Sequence, residues 1–418
     1  KITVTEAPVS VQFNTTNMQT TLDSKMSTEL PIIHRNPFLL LTLDPSVVHT
    51  GNQEKSPYHS FAANDMDVGG GTERNNEILV DGVPNTWGMK NNYTPSMDAV
   101  SEMNVQQNAT DAEYGHSAGG IISVQMKGGG NEFHGTAYYF GRNPALNAVA
   151  DSSTHTPSVT RQNVWGFTAG NPISRNRLFN FLSYEGQLLS EPRDFSRTLP
   201  TPLEREGDFS RSLNANSALR TIFDPFTTIF NQAANTSTRT PFAGNAIPKS
   251  RFDPTSSRVL KDVWQPNRPG DDITGVNNFR LTVPNTFRYW NLSNRTDYVI
   301  NDNWKLFGRF SRFHTIESAP DVTGGSRAQG LGGSQRNGLQ AAGDAVWAIS
   351  PRMVLNLRGS FNKPVDNFAD AQSELKSWTD LWGGNAWHEP YLPELPQVYY
   401  PGITVGGSVL GRTSYWYG

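Results

Sequence analysis

The sequence predicts a mixed α/β domain over residues 1–130, followed over 131–418 by antiparallel strands of an incomplete transmembrane β-barrel. Three observations carry this expectation. Only 36% of the 418 residues are apolar and the mean hydropathy is -0.52, yet the chain holds 10 Trp, 13 Tyr and 22 Phe. Barrel strands alternate lipid-facing apolar with lumen-facing polar residues, so they average out as hydrophilic, and aromatic girdles mark their two interfaces. Second, near Asn131 the pattern changes from short apolar runs broken by Asp-Gly and Gly-Gly turns to long two-faced strands. Third, the links between those strands alternate between short and long.

In chain order, Ile2-Thr3-Val4-Thr5-Glu6-Ala7-Pro8 is a β-branched alternation closed by proline, read as an edge strand. From Thr21 the spacing Leu22, Met26, Leu30 predicts an amphipathic helix stopped at Pro31. A second apolar cluster, Phe38 to Leu43, lies between Pro37 and Pro45. Ile78-Leu79-Val80 and Ile121 to Val124 read as short strands, with Asp81-Gly82 as a turn.

Seven longer strands follow: His134 to Asn143, Asn163 to Asn171, Arg177 to Leu189, Tyr289 to Ile300, Trp304 to His314, Gly338 to Ile349 and Met353 to Lys363. The last has Met353, Leu355, Leu357, Gly359 and Phe361 on one face and Val354, Asn356, Arg358, Ser360 and Asn362 on the other. Leu339, Ala341, Ala345 and Trp347 likewise oppose Gln340 and Asp344, and Trp304, Leu306 and Phe310 oppose Lys305, Arg309 and Ser311. Pro172 to Asn176, Asn301 to Asn303 and Ser350 to Arg352 are short links; Pro144 to Gln162, Ser190 to Arg288 and Thr315 to Asn337 are long. Such segregation belongs to a barrel with turns at one rim and loops at the other. The link Ser190 to Arg288 exceeds the roughly 15 residues usual for unstructured loops, so it is expected to be ordered or functional. The tail from Pro364, with Trp378, Trp382 and Trp387, reads as another outer loop leading to the start of an eighth strand.

Composition and motifs narrow the function classes. No run approaches the roughly 18 uncharged apolar residues of a spanning helix, which excludes a helical membrane protein. With 35 basic and 38 acidic residues and no basic stripe, a nucleic-acid partner has no electrostatic footprint. The absence of Cys removes disulfides and thiolate metal sites. The chain opens without a signal peptide, and its start is read as processed or truncated. No HExxH occurs among the eight His, and Gly69-Gly70-Gly71 and Gly128-Gly129-Gly130 lack the Lys-Ser/Thr of a P-loop. Gly115-His116-Ser117-Ala118-Gly119 has the spacing of a nucleophile elbow, but no alternation of strands and helices surrounds it, and it reads as a tight turn. Asn64-Asp65-Met66-Asp67 spaces two carboxylates as calcium loops do, without the downstream bidentate Glu.

Asn75-Asn76, Leu79-Val80-Asp81-Gly82, Asp98-Ala99-Val100-Ser101-Glu102, Ala112-Glu113-Tyr114-Gly115, Ser117 to Gly120 and Asn131-Glu132-Phe133-His134-Gly135 run collinearly. Together they resemble the plug-to-barrel junction of TonB-dependent outer-membrane transporters, in particular the Oar-like receptors. His116, where that family more often has Arg, and Gly69-Gly70-Gly71 depart from the pattern. Glu29-Leu30-Pro31, Arg35-Asn36, Gly207-Asp208-Phe209-Ser210 and Arg251-Phe252-Asp253-Pro254 are also similar to that family.

The resemblance implies a non-enzymatic outer-membrane importer without cofactor or metal, its plug facing the periplasm and its loops outside. Its partners would be the TonB complex, outer-membrane lipid and an unknown external ligand. Thr3, Val4 and Thr5 are the implied TonB contact, an edge strand being the alternative. Trp87, Lys90, Asn91, Asn92 and Tyr93, if at the plug apex, would contact cargo; a packed loop is the alternative. A surface receptor or adhesin on the same scaffold is the competing function. A plug of this size needs a barrel of about 22 strands, so the chain is expected to be a partial copy.

Overall fold

A computed structural model describes residues 18–23, 30, 32, 35–50, 65–72, 75–87, 90–107, 119–146, 159–262, 265–318 and 334–368. The first sheet has strands β1 (Met18–Asp23), β2 (Glu77–Val80), β3 (Val83–Pro84), β4 (Val100–Gln107) and β5 (Ile121–Met126), in the order β1-β4-β5-β2-β3. β2 and β5 run parallel, and the other pairs are antiparallel. Alternation along the strands sends Met103, Val105, Ile122, Val124, Ile78 and Val80 into a common core. Phe38, Leu40 and Leu41 of a 3-10 turn, Pro37–Leu43, are buried in that core. Asn36 starts this turn: its side-chain oxygen accepts from the Phe38 amide at 3.1 Å, and Pro37, with no amide hydrogen to satisfy, follows.

A strand, not the expected helix, occupies the start of the segment from Thr21. Thr21, Leu22 and Asp23 are strand residues, with Leu22 opposite Met103. Leu22 is buried between exposed Thr21 and Asp23, a two-residue period that backbone pairing enforces over the i, i+4 spacing of Leu22 and Met26. Met26 lies outside the described residues.

All seven longer strands are present, as β6 (His134–Arg142), β7 (Arg161–Ser174), β8 (Leu178–Arg197), β9 (Phe279–Asn301), β10 (Trp304–Ser318), β11 (Ser334–Ser350) and β12 (Met353–Phe368). Each pairs antiparallel with the next, and β6 does not pair with β12, so the described wall is open. The strands run further than expected chiefly at the long-loop end: β8 continues past Leu189 to Arg197, and β9 begins at Phe279 rather than Tyr289. Within this extension Pro192 is the direct partner of Pro284. Two residues without a backbone donor interrupt the strand signal although the ladder continues around them.

Register assigns the faces. Tyr138, Glu185, Asn291, Arg309, Gln340 and Asn362 point to the first sheet and the segments packed on it, termed the plug for their place against the wall, while Tyr139, Trp165, Leu357 and Phe361 point away from them. The two-face assignments for β10, β11 and β12 hold. On the outward face Trp304 stacks on Trp347 with centroids 4.9 Å apart, at the short-turn rim. Inward, Phe181, Leu189, Phe287, Tyr289 and Phe313 join the core of the first sheet, so plug and wall share one apolar interior.

The long connection between β8 and β9 is an ordered lobe. At its base the Asn278 side chain imitates a strand partner, donating to the Leu199 carbonyl and accepting from the Leu199 amide, both at 2.8 Å. Helices α1 (Pro202–Arg205) and α2 (Pro254–Asp262) flank a cavity of about 340 Å³ floored by Phe209, Ile247, Phe252 and Leu260. Thr201 and Glu204 form a reciprocal capping box on α1, and Arg251 binds Asp224 through two bonds of 2.7 and 3.0 Å.

Candidate functional site at the plug-to-wall seam

The two-residue loop Asp81-Gly82 joins β2 to β3, with Val80 paired to Val83. Both loop residues have positive φ, 52° and 76°, the geometry that suits a tight hairpin and favours Asp-Gly. The turn pushes its carboxylate into the wall. Asp81 Oδ1 accepts from Arg295 Nη1 at 2.8 Å and from the Met126 amide at 2.9 Å, and Oδ2 stands 2.9 Å from Arg309 Nε. The Asp81 and Arg309 side chains are 1% and 0% exposed. Arg295 also meets Asp297 at 2.9 Å, so two cations face two anions. Burying such a group is tolerable only because each charge has a partner.

Wall donors then follow the plug backbone. Arg309 donates to the Val80 carbonyl at 3.1 Å, Arg358 to Gly82 at 3.1 Å, Asn362 to Pro84 at 3.1 Å, Arg336 to Asn91 at 3.2 Å and Asn291 to Thr94 at 3.0 Å. A Cβ on Gly82 would collide with the Arg358 guanidinium. Because backbone carbonyls are read, plug side chains are left little role in these five bonds. The two Asn bonds are worth about 0.5–1.5 kcal/mol each and the three guanidinium bonds about 1.5–3 kcal/mol each, net of exchange with water.

A second anchor lies on β6 and β8. Arg35 pairs with Asp98 of the plug and with Glu185 of β8 at 3.3 Å, and its guanidinium lies 4.5 Å from the ring centres of both Tyr138 and Phe140. Tyr138 donates its hydroxyl to Glu185 at 2.9 Å. Burial works against the Arg35 charge, but Glu185 and Asp98 outweigh it and raise its pKa above the ordinary value.

The sequence-predicted site residues divide. Thr3, Val4 and Thr5 lie outside the described residues, as does the Gly115 to Ala118 part of the elbow-like motif. Thr86–Trp87 and Lys90–Asn91 pair as a small hairpin. Asn85 closes its base, exchanging side-chain bonds with the Tyr93 amide and carbonyl at 3.0 and 2.7 Å. Asn91, Asn92 and Tyr93 are buried; Asn92 donates to Asn362 at 2.9 Å, and Tyr93 to Asn291 at 3.4 Å. Burial pushes the Tyr93 hydroxyl up to about 12, with Arg309 opposing, so it stays neutral. Asp65 and Asp67 lie beside and within a hairpin in which Asp67 pairs with Val48; among the described residues no three His, Asp or Glu converge. Sequence reasoning missed Arg35 and Asp81 as anchors. Their signal was charge on the plug opposite charge at inward register positions, Glu185 and Arg309.

Residues 125–416 match the family model described as outer membrane beta barrel domain. The chain belongs to that family. It is 28% identical over 128 residues to the TonB-dependent transporter Oar of Myxococcus xanthus, covering 28% of this chain and 12% of that protein. The outer membrane transporter YddB from Escherichia coli has a similar fold, with a TM-score of 0.52 at 10% identity, over 86% of this chain and 40% of that one. A mutant ferric enterobactin receptor from Pseudomonas aeruginosa aligns with a TM-score of 0.46 at 11% identity, over 84% of this chain and 42% of its own. The chain thus spans less than half the length of these relatives. The resemblance to TonB-dependent outer-membrane receptors is borne out, and the chain is an outer-membrane barrel member.

Proposed function

We propose that this chain is the plug and adjoining wall of an outer-membrane importer that binds an external ligand and opens when the TonB complex pulls on the plug. The observation that carries the reading is Asp81 of the plug held between Arg295 and Arg309 of the wall. In this reading short turns face the periplasm and long loops face outside. Thr3, Val4 and Thr5 receive the pull. Cargo meets the Trp87 to Lys90 hairpin and the lobe between β8 and β9, while buried Asn91, Asn92 and Tyr93 hold the hairpin in place. The polar bonds of the seam can be replaced by water once a pull withdraws Asp81 from Arg295 and Arg309, so an external force is what parts it.

The test uses Ser96→Cys, because Ser96 is 1% exposed. Intact cells in their natural growth medium are treated with a membrane-permeant maleimide, with and without a protonophore. Labelling that requires the energised membrane is expected. Equal, slow labelling in both conditions would favour the non-transporting receptor or adhesin.

A further inference from the structure

Two stretches that stand out in the sequence, Gly207-Asp208-Phe209-Ser210 and Arg251-Phe252-Asp253-Pro254, meet inside the lobe between β8 and β9. The Ile247 amide donates to the Gly207 carbonyl at 2.9 Å and the Phe209 amide to the Asn245 carbonyl at 3.0 Å, which fixes the first stretch against the approach to the second. Gly207 has φ 84°, and a Cβ there would lie 2.8 Å from the Phe252 ring, so glycine is what lets that ring stand against the chain. Phe209, Ile247, Phe252 and Leu260 are half-buried and line the cavity of about 340 Å³. A second cavity of about 330 Å³ adjoins it, and Arg205, Phe252, Ser257 and Leu260 belong to both.

The two cavities differ in charge. Around the first, each charged group is engaged within the lobe. Glu204 accepts from the Thr201 amide at 2.8 Å and the Ser212 hydroxyl at 2.6 Å, and Asp253 accepts from the Ser256 amide at 2.8 Å. Arg251 binds Asp224, and Arg205 donates to the Pro200 and Leu260 carbonyls at 3.1 and 2.6 Å. What this cavity offers a guest is apolar surface. Around the second stand three cations, Arg205, Lys249 and Lys261, against one carboxylate, Glu206, which already pairs with Lys249. Lys261, exposed in the last turn of α2, has no ion pair among the described residues. The lobe thus sets an apolar recess beside one with a surplus of positive charge, both of a size that suits a small molecule.

We infer that the lobe binds a small amphipathic carboxylate, its apolar body on Phe209, Ile247 and Leu260 and its carboxylate beside Lys249 and Lys261. Burial of the body supplies affinity, and the charge fixes the orientation. Lys261 gains the counter-charge that the lobe does not give it. A cationic guest would meet the same surplus as repulsion, and a guest without an apolar body would leave the first cavity wet. The site lies wholly within the lobe, so its occupancy depends neither on membrane orientation nor on import; that its occupant is the cargo rests on the reading above.

The test titrates N-benzoylphenylalanine and its uncharged amide into the full-length protein in nanodiscs by calorimetry, with empty nanodiscs subtracting partition into lipid. The acid is expected to bind and the amide to bind roughly fivefold more weakly, with the acid's advantage shrinking in salt. Lys249→Gln and Lys261→Gln, both at exposed positions, are each expected to weaken the acid roughly twofold and to leave the amide unchanged. Ser257→Trp, at a position shared by both cavities, is expected to abolish binding of both compounds. Heat-modifiable migration checks folding, and if the Trp variant misfolds the lysine variants decide. No binding of the acid to folded protein, equal binding of acid and amide, or binding untouched in the folded variants would overturn the site. Binding of the acid without its uptake by energised cells would support the site and refute only its place in import.

Discussion

Arg295 and Arg309 stand directly opposite each other on β9 and β10, and Asp81 of the plug lies between them. Like charges paired across strands repel, so the wall at this point is incomplete until the plug docks. Removing one member of a buried charge cluster typically costs about 3–5 kcal/mol. Asp81→Asn is therefore expected to loosen the plug by that order, seen as faster proteolysis of residues 77–94. Adding Arg309→Gln is expected to restore part of the loss. Strictly additive effects in this double-mutant cycle would show that the two residues do not interact.

Facing and depth on β12 give a graded prediction. Leu357 points outward two residues, about 5 Å, deeper into the apolar band than Leu355, which is level with the Trp304 and Trp347 girdle. Leu355→Arg, at the interface, is expected to cost about 0–1 kcal/mol in barrel assembly, and Leu357→Arg more, toward the roughly 2–4 kcal/mol of the midplane without reaching it. Assembly yields in the opposite order would refute the depth assignment.

Orientation can be read with thiol labels. A cysteine at Asn235, at the exposed tip of the lobe, is expected to react with an impermeant reagent added to intact cells. Cysteines at Asp302 and Pro351, in the short turns, are expected to react only after the outer membrane is opened. Equal reaction at all three would remove the membrane-barrel topology.

Asp44 makes plug stability depend on pH. Burial pushes its carboxyl up, but hydrogen bonds from Thr20, Ser46 and Gln107 outweigh burial and hold it below the ordinary value. A lowered folded-state pKa contributes stability above the unfolded carboxylate value, near 4, that is lost as pH falls through the lower folded value. Denaturant midpoints of the plug should decline below about pH 4, and Asp44→Asn should flatten that decline. A midpoint that rises on acidification would contradict this sign.

The wall was legible because lipid on one side and plug on the other impose a two-residue period, as in Met353 to Asn362. Beyond the membrane that period fades, and Pro192 and Pro284 hid strands that continue through them. The Asp81-Gly82 turn was also legible, but its partner Arg295 lies 214 residues away. A local reading accounts for Asp81 fully as a turn residue and so gives no cue to its charge partners. The strand at Leu22 was misread because Leu22, Met26 and Leu30 also fit one helical face, and only pairing with Met103 decides between the two.

The plug is seated against the inner face of its own wall. Asn92 and Asn362 touch across that seam at 2.9 Å, although 270 residues separate them. Cysteines at both positions, treated in isolated outer membranes with a short bifunctional thiol reagent, should yield one intramolecular cross-link in high yield. Cysteines at Asn92 and outward-facing Phe361 should yield none. Efficient capture of the first pair with silence from the second is the predicted result, and absence of the Asn92–Asn362 cross-link in folded protein would contradict the account.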